Sequence, residues 1–260
     1  MTSHDCEDTE FLSKNKQKKL DRYNNEVDRR KSRRKQEQEK QREKFKQLRQ
    51  EGGPSKEELK RCQRSRLAAA LETGVKVCVD FQFEDHMTEK ELNRFANQAK
   101  RVYSSNKSSE EPFNLHFINL KKSSKTFEMC CDKNDGFERY LLHFHEEGIE
   151  DLFDPNKVVY LSPDSETALV SLDPEAVYII GGLVDDSVRK DTSRQFSQAV
   201  GIRTARLPIP EHMERAETGT FKQILTINQV FDVLLDFHEN GDWRTALEKN
   251  IPPKTGFILK

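Results

Sequence analysis

The chain has 260 residues, of which 34% are charged and 34% hydrophobic, so its apolar content is low for one fully globular chain of this length. The net charge of −1 hides an asymmetry: residues 14–66 carry 21 Lys and Arg against nine Asp and Glu, whereas residues 67–260 carry 23 against 32. The sequence contains no run of about 18 apolar residues, which excludes a predicted membrane-spanning helix. We therefore expect a mildly acidic body preceded by a basic arm that binds a polyanion, or alternatively by a solvated charged helix without a partner.

The cysteines and the first ten residues bear on the cellular compartment. The number of cysteines is odd and no Cys-x-x-Cys pair occurs, which predicts a reducing compartment without a disulfide framework. The N-terminal stretch MTSHDCEDTE is acidic and resembles neither a secretory signal nor a mitochondrial transit peptide. We expect the protein in the nucleus or cytoplasm, not secreted and not mitochondrial.

Residues 14–50 have the composition of a helix and contain neither Gly nor Pro. Their apolar residues are too sparse for the heptad seam of a coiled coil, which argues against a scaffold protein. The segment predicts either a charged helix or a disordered arm. Ser55 and Glu58 form a capping box that predicts a second helix at 56–71. The expected domains are a basic arm at 1–55, a linking helix at 56–74 and a folded domain at 75–260.

Short apolar runs alternate with amphipathic segments from residue 75 onward, which predicts an α/β domain with a mainly parallel sheet. The runs of strand length are VKVCVDF (75–81), FNLHFINL (113–120), KVVYL (157–161), AVYII (176–180) and residues 203–207. The predicted helices are residues 89–103 after a capping box at Thr88, a stretch around 137–145, and residues 223–239.

Ligands bind beyond the carboxyl ends of the strands in an open α/β sheet. Gly181 and Gly182 directly follow a predicted strand, so they either permit positive φ and close approach of backbone amides to a ligand or form an ordinary tight turn. Asp185 comes next and is a candidate general base or hydrogen-bond acceptor, with a helix cap as the alternative. Asn228, on the first turn of the last predicted helix, either receives a ligand edge or satisfies nearby backbone groups. The histidines have no metal-binding spacing, so we expect no metal.

Taken together and in order, these strand ends resemble the SPOUT-fold tRNA methyltransferases that modify N1 of the purine at tRNA position nine, and in particular their B-type metazoan branch. The resemblance covers about residues 66–260 and extends to the basic N-terminal segment. The matching segments are VYLSPDS (159–165), VYIIGGLVDD (177–186), GIRTARLPI (201–209), LTINQVFDVLLDF (225–237), Asp242-Trp243, residues 256–260 and, upstream, VCVDFQFEDHMTEKEL (77–92) and QAKRVYSSNK (98–107).

The resemblance implies a trefoil-knotted domain that holds S-adenosyl-L-methionine mainly through backbone groups of its loops. It also implies a monomer whose basic arm binds tRNA, with no metal and no membrane partner. The implied catalytic residues are Asp185 and Asn228. The implied donor-binding residues are Leu161, Ser162, Pro163, Gly181, Gly182, Leu183, Val184, Arg206, Leu207, Pro208, Thr226, Ile227 and Asn228. The expected RNA contacts are Arg29, Arg30, Arg33, Arg34 and Lys35 in the arm, and Gln98, Arg101 and Lys107 in the body.

The expected reaction is S-adenosylmethionine-dependent methylation of N1 of the purine at tRNA position 9, with guanine favoured over adenine. Guanine N1 carries a proton that a base must accept, and a carboxylate with an ordinary pKa of about 4 is a weak base, so we expect Asp185 mainly to orient the target. Residues 186–200 depart from the Lys-Gly-Leu-like segment common in the family, so the base preference does not follow from the resemblance. The alternative function is a catalytically inactive RNA-binding protein that retains the fold.

Overall fold

The computed structural model describes residues 13–50, 52–184, 201–221 and 224–260. The chain divides into two compact units, with the boundary between Leu59 and Lys60. This boundary lies within the predicted linking helix, and the three-domain division of the sequence stays a prediction.

The first unit contains a single long helix, α1 (Lys14–Gln50). Val27 is partly buried, whereas every other α1 side chain that the structure describes is exposed. Ion pairs one turn apart join Arg30 to Glu26, and Arg33 to Glu37 at 3.5 Å. The basic arm is therefore helical over residues 14–50, and the charged side chains that the structure describes there face solvent.

The second helix, α2 (Lys56–Thr73), begins at the predicted capping box. The Ser55 amide donates to the Glu58 carboxylate at 2.7 Å, and the Glu58 amide donates to the Ser55 hydroxyl at 3.2 Å. Leu67 is only 2% exposed and packs in the interior with Ala70. The C-terminal half of α2 thus belongs to the folded body.

The body is built on a six-stranded sheet in which every pairing is parallel, as predicted. The spatial order of its strands is β3-β2-β1-β5-β4-β6. The strands are β1 (Lys76–Asp80), β2 (Asn114–Ile118), β3 (His143–Phe144), β4 (Val158–Leu161), β5 (Val177–Gly181) and β6 (Arg203–Ala205). This order brings the carboxyl ends of β4, β5 and β6 together beside the end of β1.

The remaining elements follow the strands along the chain. The helices are α3 (Glu89–Ser108), α4 (Lys125–Lys133), α5 (Ile149–Leu152), α6 (Ile209–His212), α7 (Ile227–Asn240) and α8 (Trp243–Asn250). A separate antiparallel pair joins β7 (Met213–Arg215) and β8 (Phe257–Leu259). The predicted capping box of α3 is confirmed, since the Thr88 amide donates to the Glu91 carboxylate at 2.8 Å.

The helix predicted around residues 137–145 is wrong. A short 3₁₀ turn at Phe137–Arg139 follows Gly136, whose φ of 75° is unsuitable for a helix, and β3 follows that turn. Pairing of β3 with β2 in register His116↔His143 overrides the helix-like spacing of the apolar residues. The helix of this region lies earlier, in α4.

The core lies on both faces of the sheet. Alternation along β1 places Val77 and Val79 in the larger cluster with α3 and α7, and Cys78 in the smaller cluster with Tyr160 and Ile149. Strands buried on both faces explain why the sequence shows continuous apolar runs.

Candidate active site

The loops that follow β4 and β6 lie side by side. Leu161 and Ala205 are register partners, and the Ser162 amide extends the pairing by donating to the Ala205 carbonyl at 2.9 Å. Beyond this point the Arg206 amide donates to the Thr167 carbonyl at 2.9 Å. Two of the donor loops implied by the resemblance are therefore joined through their backbones.

Gly182 is held against the end of β1. Its amide donates to the Asp80 carbonyl at 2.8 Å. A Cβ atom at this position would lie 2.1 Å from that carbonyl oxygen and 2.6 Å from the Phe95 ring. Gly182 does not adopt a positive φ, so the expectation of a positive φ was wrong for this residue. The glycine is needed because β1 and α3 approach the backbone too closely for any side chain.

The first turn of α7 is fixed by a residue of α3. The Gln98 side-chain oxygen accepts a hydrogen bond from the Ile227 amide at 3.0 Å. The Thr226 amide donates to Gln229 Oε1 at 2.9 Å, and the Thr226 hydroxyl donates to Asn228 Oδ1 at 3.2 Å. Because Phe95 and Gln98 are three residues apart on one helix face, α3 supports both the β5 loop and the start of α7.

Arg206 uses its side chain for an ion pair with Glu211. Two hydrogen bonds of 2.8 and 2.7 Å form a bidentate contact between the guanidinium and the carboxylate. The hydrogen bond from Arg206 lowers the pKa of Glu211. The positive charge in this loop is therefore paired, and its backbone is the part that faces neighbouring loops.

The other predicted donor residues differ in burial. Leu207, Pro208 and Ile227 are buried, as are Leu161 and Ser162. Gly181, Leu183 and Val184 are half-buried, and Pro163 and Thr226 are exposed. The Val184 amide lies 3.5 Å from the Met87 sulfur, which links the β5 loop to the segment before α3.

A buried carboxylate at the end of β1 escaped the sequence analysis. The Asp80 side chain accepts hydrogen bonds from Asn119 Nδ2 at 2.8 Å and from the Tyr160 hydroxyl at 3.3 Å, and Gln82 donates to it as well. Burial raises the pKa of Asp80, and these hydrogen bonds oppose the shift. The signal was present in the sequence, because an acid that ends an apolar run lies at the carboxyl end of a strand.

Of the two predicted catalytic residues, the structure describes only Asn228. Asp185 lies outside the described residues, as does the loop 186–200. Asn228 is 9% exposed and lies on the first turn of α7, as predicted. Its side-chain oxygen accepts a hydrogen bond from the Thr226 hydroxyl at 3.2 Å, and its catalytic role stays a prediction.

The residues of the body that were predicted to contact RNA differ in their exposure. Arg101 and Lys107 are exposed on α3, together with Lys100. Gln98 is only 8% exposed and is committed to the Ile227 amide, so it is placed to position α7 and not to contact RNA. The five predicted arm residues are all exposed on α1.

Two further observations concern metal binding and membrane-spanning helices. Within the described ranges, no group of three or more His, Cys, Asp and Glu side chains is arranged to hold a metal ion. No helix in the same part of the chain has both the length and the apolar character needed to cross a membrane.

Comparisons with known proteins agree with this architecture. The family model for tRNA (guanine(9)-N(1))-methyltransferase TRM10/TRM10A matches residues 10–256. The tRNA methyltransferase 10 homolog B of Rattus norvegicus is 42% identical over 257 residues, which cover 96% of this chain and 81% of the relative. That of Danio rerio is 42% identical over 207 residues, which cover 79% and 67%.

A solved structure confirms the SPOUT fold that the sequence predicted. The crystal structure of full-length spTrm10 in complex with S-adenosylhomocysteine (SAH) superposes with a TM-score of 0.61 at 30% identity. The match covers 68% of this chain and 95% of spTrm10. The chain therefore belongs to the TRM10 family of S-adenosylmethionine-dependent tRNA methyltransferases.

Proposed function

We propose that this protein transfers a methyl group from S-adenosylmethionine to N1 of guanine at position 9 of tRNA. The observation that carries the proposal is the match over residues 10–256 to the family model for tRNA (guanine(9)-N(1))-methyltransferases. The backbone-joined loops after β4 and β6, next to the end of β5, supply a site of the kind that this activity needs.

The residues at these strand ends suit the methyl donor. The donor carries a positive sulfonium, which an unpaired arginine would repel, and Glu211 neutralises Arg206. Buried Leu161 and Leu207 offer apolar contacts for an adenine ring, and Ser162 and Thr226 add hydroxyl groups. Backbone groups of the loops at 161–163, 181–184, 206–208 and 226–228 would hold the donor. When bound, it supplies an electrophilic methyl group.

Methylation of guanine also requires removal of the proton that N1 carries. Attack through N1 releases the N1 proton, and Asp185 is the residue proposed to accept it or to orient the base. Asp185 itself lies outside the described residues. The residue before it, Val184, is described, and its amide lies 3.5 Å from the Met87 sulfur. Holding the target close to the donor accounts for most of the rate enhancement in this proposal.

The proposed tRNA contacts come from two basic regions, one in each compact unit of the chain. Arg29, Arg30, Arg33, Arg34 and Lys35 present an exposed positive row on α1 that suits phosphate contacts. On α3, Arg101 and Lys107 are exposed on the helix that also supports the donor loops. We further propose that the protein acts as a monomer in the nucleus or cytoplasm and that residues 1–55 serve as the RNA-binding arm.

Methyl transfer to unmodified tRNA transcripts, with labelled S-adenosylmethionine, tests the proposal. We expect incorporation by the wild-type protein and a loss of at least about tenfold for Asp185→Asn. Asp135→Asn, an exposed carboxylate before Gly136, serves as the matched control and retains full activity. If wild-type protein bound tRNA and SAH tightly but transferred no methyl group to any tRNA, the proposal would be wrong and the binding-only function would replace it.

A further inference from the structure

The sheet order changes direction between β1 and β5. From β1 the chain runs outward through β2 to β3, whereas β5, β4 and β6 lie on the other side of β1. Parallel sheets bind ligands at such a point, beyond the carboxyl ends of the two strands. Asp80 and Gly181 are register partners at these ends, and the Gly182 amide donates to the Asp80 carbonyl at 2.8 Å. The segment after β1 therefore leaves the sheet beside the β5 loop.

Gln82 lies in this segment, two residues after the end of β1, and the proposed mechanism does not use it. We propose that the Gln82 side-chain oxygen accepts a hydrogen bond from the exocyclic 2-amino group of the target guanine, and that Asp80 orients it for this contact. Gln82 then distinguishes guanine from adenine. This inference rests on the proposed function, because it assumes that the base at position 9 enters the site beside the β5 loop.

Hydrogen bonds to Asp80 fix the direction of the Gln82 carboxamide. The Gln82 backbone amide donates to Asp80 Oδ1 at 3.1 Å, and the side-chain nitrogen Nε2 donates to Asp80 Oδ2. Two further donors reach the carboxylate, Asn119 Nδ2 at 2.8 Å and the Tyr160 hydroxyl at 3.3 Å. Four donors favour the charged carboxylate, which only accepts. The amino end of the Gln82 carboxamide therefore faces Asp80, and its oxygen faces away.

The Gln82 oxygen is available to a ligand. Gln82 is half-buried, and among the residues that the structure describes no group donates a hydrogen bond to its Oε1 atom. Because Asp80 already holds the amino end, the side chain loses little conformational freedom when a ligand binds. Gln82 thus presents a preorganised acceptor at the point where β1 and β5 diverge.

Guanine offers the donor that this acceptor needs. An enzyme that takes a base out of its stack reads it through hydrogen bonds to its Watson–Crick edge. The guanine 2-amino group lies next to N1 on that edge, so an acceptor can hold it without covering the atom that receives the methyl group. Adenine has no amino group at C2 and would leave the Gln82 oxygen unpaired. A site built to bind a polar group discriminates against an analogue that lacks it.

Inosine tests this contact, because it is guanosine without the 2-amino group. Methyl transfer by the full-length protein is measured on tRNA with guanosine or inosine at position 9, for the wild type and for Gln82→Met, which keeps a similar side-chain length. For the wild type we expect kcat/KM to be about tenfold lower with inosine. For Gln82→Met we expect the value with guanosine to fall to that with inosine, while SAH affinity by calorimetry does not change.

Asn119→Gly is the matched control, because it removes another hydrogen bond to Asp80 and tolerates the φ of 56° at this position. This variant should melt at a lower temperature but keep the wild-type preference for guanosine over inosine. Equal turnover of both substrates by the wild type, an unchanged preference in Gln82→Met, or weaker SAH binding by that variant would overturn the inference. If the wild-type protein bound SAH but methylated neither tRNA, the proposed function would fail, and the role of Gln82 would fail with it.

Discussion

Gln98 and Ile227 are joined by a hydrogen bond of 3.0 Å that ties the middle of α3 to the first turn of α7. The contact satisfies one of the amides that every helix leaves without an internal partner at its N-terminus. Because Gln98 is buried, the bond is shielded from water, and the start of α7 has a fixed position relative to the β5 loop that rests on Phe95.

Replacing Gln98 with Ala should therefore weaken donor binding. The Ile227 amide would be left buried without a partner, which costs about 1–3 kcal/mol of unfolding free energy. We expect lower SAH affinity by calorimetry and a lower melting temperature, with partial recovery in Gln98→Glu, which keeps an acceptor. Asn97→Ala, on the exposed face of α3, is the control. A Gln98→Ala protein with normal SAH affinity but weakened tRNA binding would show that this residue contacts RNA instead.

Gly182→Ala should disrupt the loop after β5. The new methyl group would lie 2.1 Å from the Asp80 carbonyl oxygen, so strand and loop must separate. We expect a loss of more than about 2 kcal/mol in urea unfolding and a large drop in SAH affinity. Gly241→Ala provides the comparison, because its φ of 67° is strained for alanine although nothing lies near its Cβ position. Equal effects at the two positions would rule out a steric requirement at Gly182.

The basic row on α1 predicts a salt-dependent tRNA affinity. The test replaces with Gln the five basic residues Arg29, Arg30, Arg33, Arg34 and Lys35. This removes positive charges that would contact phosphates and displace the counterions bound to the tRNA. The slope of log affinity against log salt concentration should become shallower, with a loss of about tenfold or more at physiological salt. Affinity for SAH should not change. An unchanged salt slope would show that this row does not bind the backbone of tRNA.

Acid should destabilise the protein through a buried histidine. His116 Nδ1 lies 3.0 Å from His145 Nε2, and burial, with smaller effects of His143 and His145, lowers the His116 pKa to about 3. The unfolded chain binds this proton more readily, so the stabilising effect is complete above about pH 6.5 and is lost as the pH falls towards 3.

Urea unfolding measures this dependence. Between about pH 6.5 and pH 5 the His116 contribution should fall by about 2 kcal/mol, and His116→Phe should show a flatter profile. His212→Phe, a partly exposed histidine at the end of α6, serves as the control and should keep the wild-type slope. An identical pH dependence in the wild type and His116→Phe would contradict this assignment.

The sequence predicted the elements better than it predicted their arrangement. Continuous apolar runs located β1, β2, β4 and β5 within a few residues, because strands buried on both faces have that pattern. The spacing of apolar residues failed at β3, where pairing with β2 decides the conformation. Sheet order depends on contacts far apart in the chain, which local patterns do not contain.

The site was predicted in the same uneven way. The strand-end loops and the position of Asn228 followed from the resemblance and from the general location of ligands in parallel sheets. The Asp80 network was missed because its partners are far away in the chain: Asn119 directly follows β2, and Tyr160 lies in β4. Gln98 was assigned to RNA because a polar residue on a helix gives no sign in the sequence that it is buried. Asp185 lies outside the described residues, so its role stays a prediction.

Nucleoside analysis of the reaction product shows whether this protein methylates N1 of guanine at position 9 of tRNA, as we propose. Unmodified transcripts with G or A at position 9 would be incubated with the full-length protein and S-adenosylmethionine, digested, and analysed by mass spectrometry. We expect 1-methylguanosine at position 9 of the G transcript and little product from the A transcript. Methylation of the A transcript alone, or of another position, would contradict it.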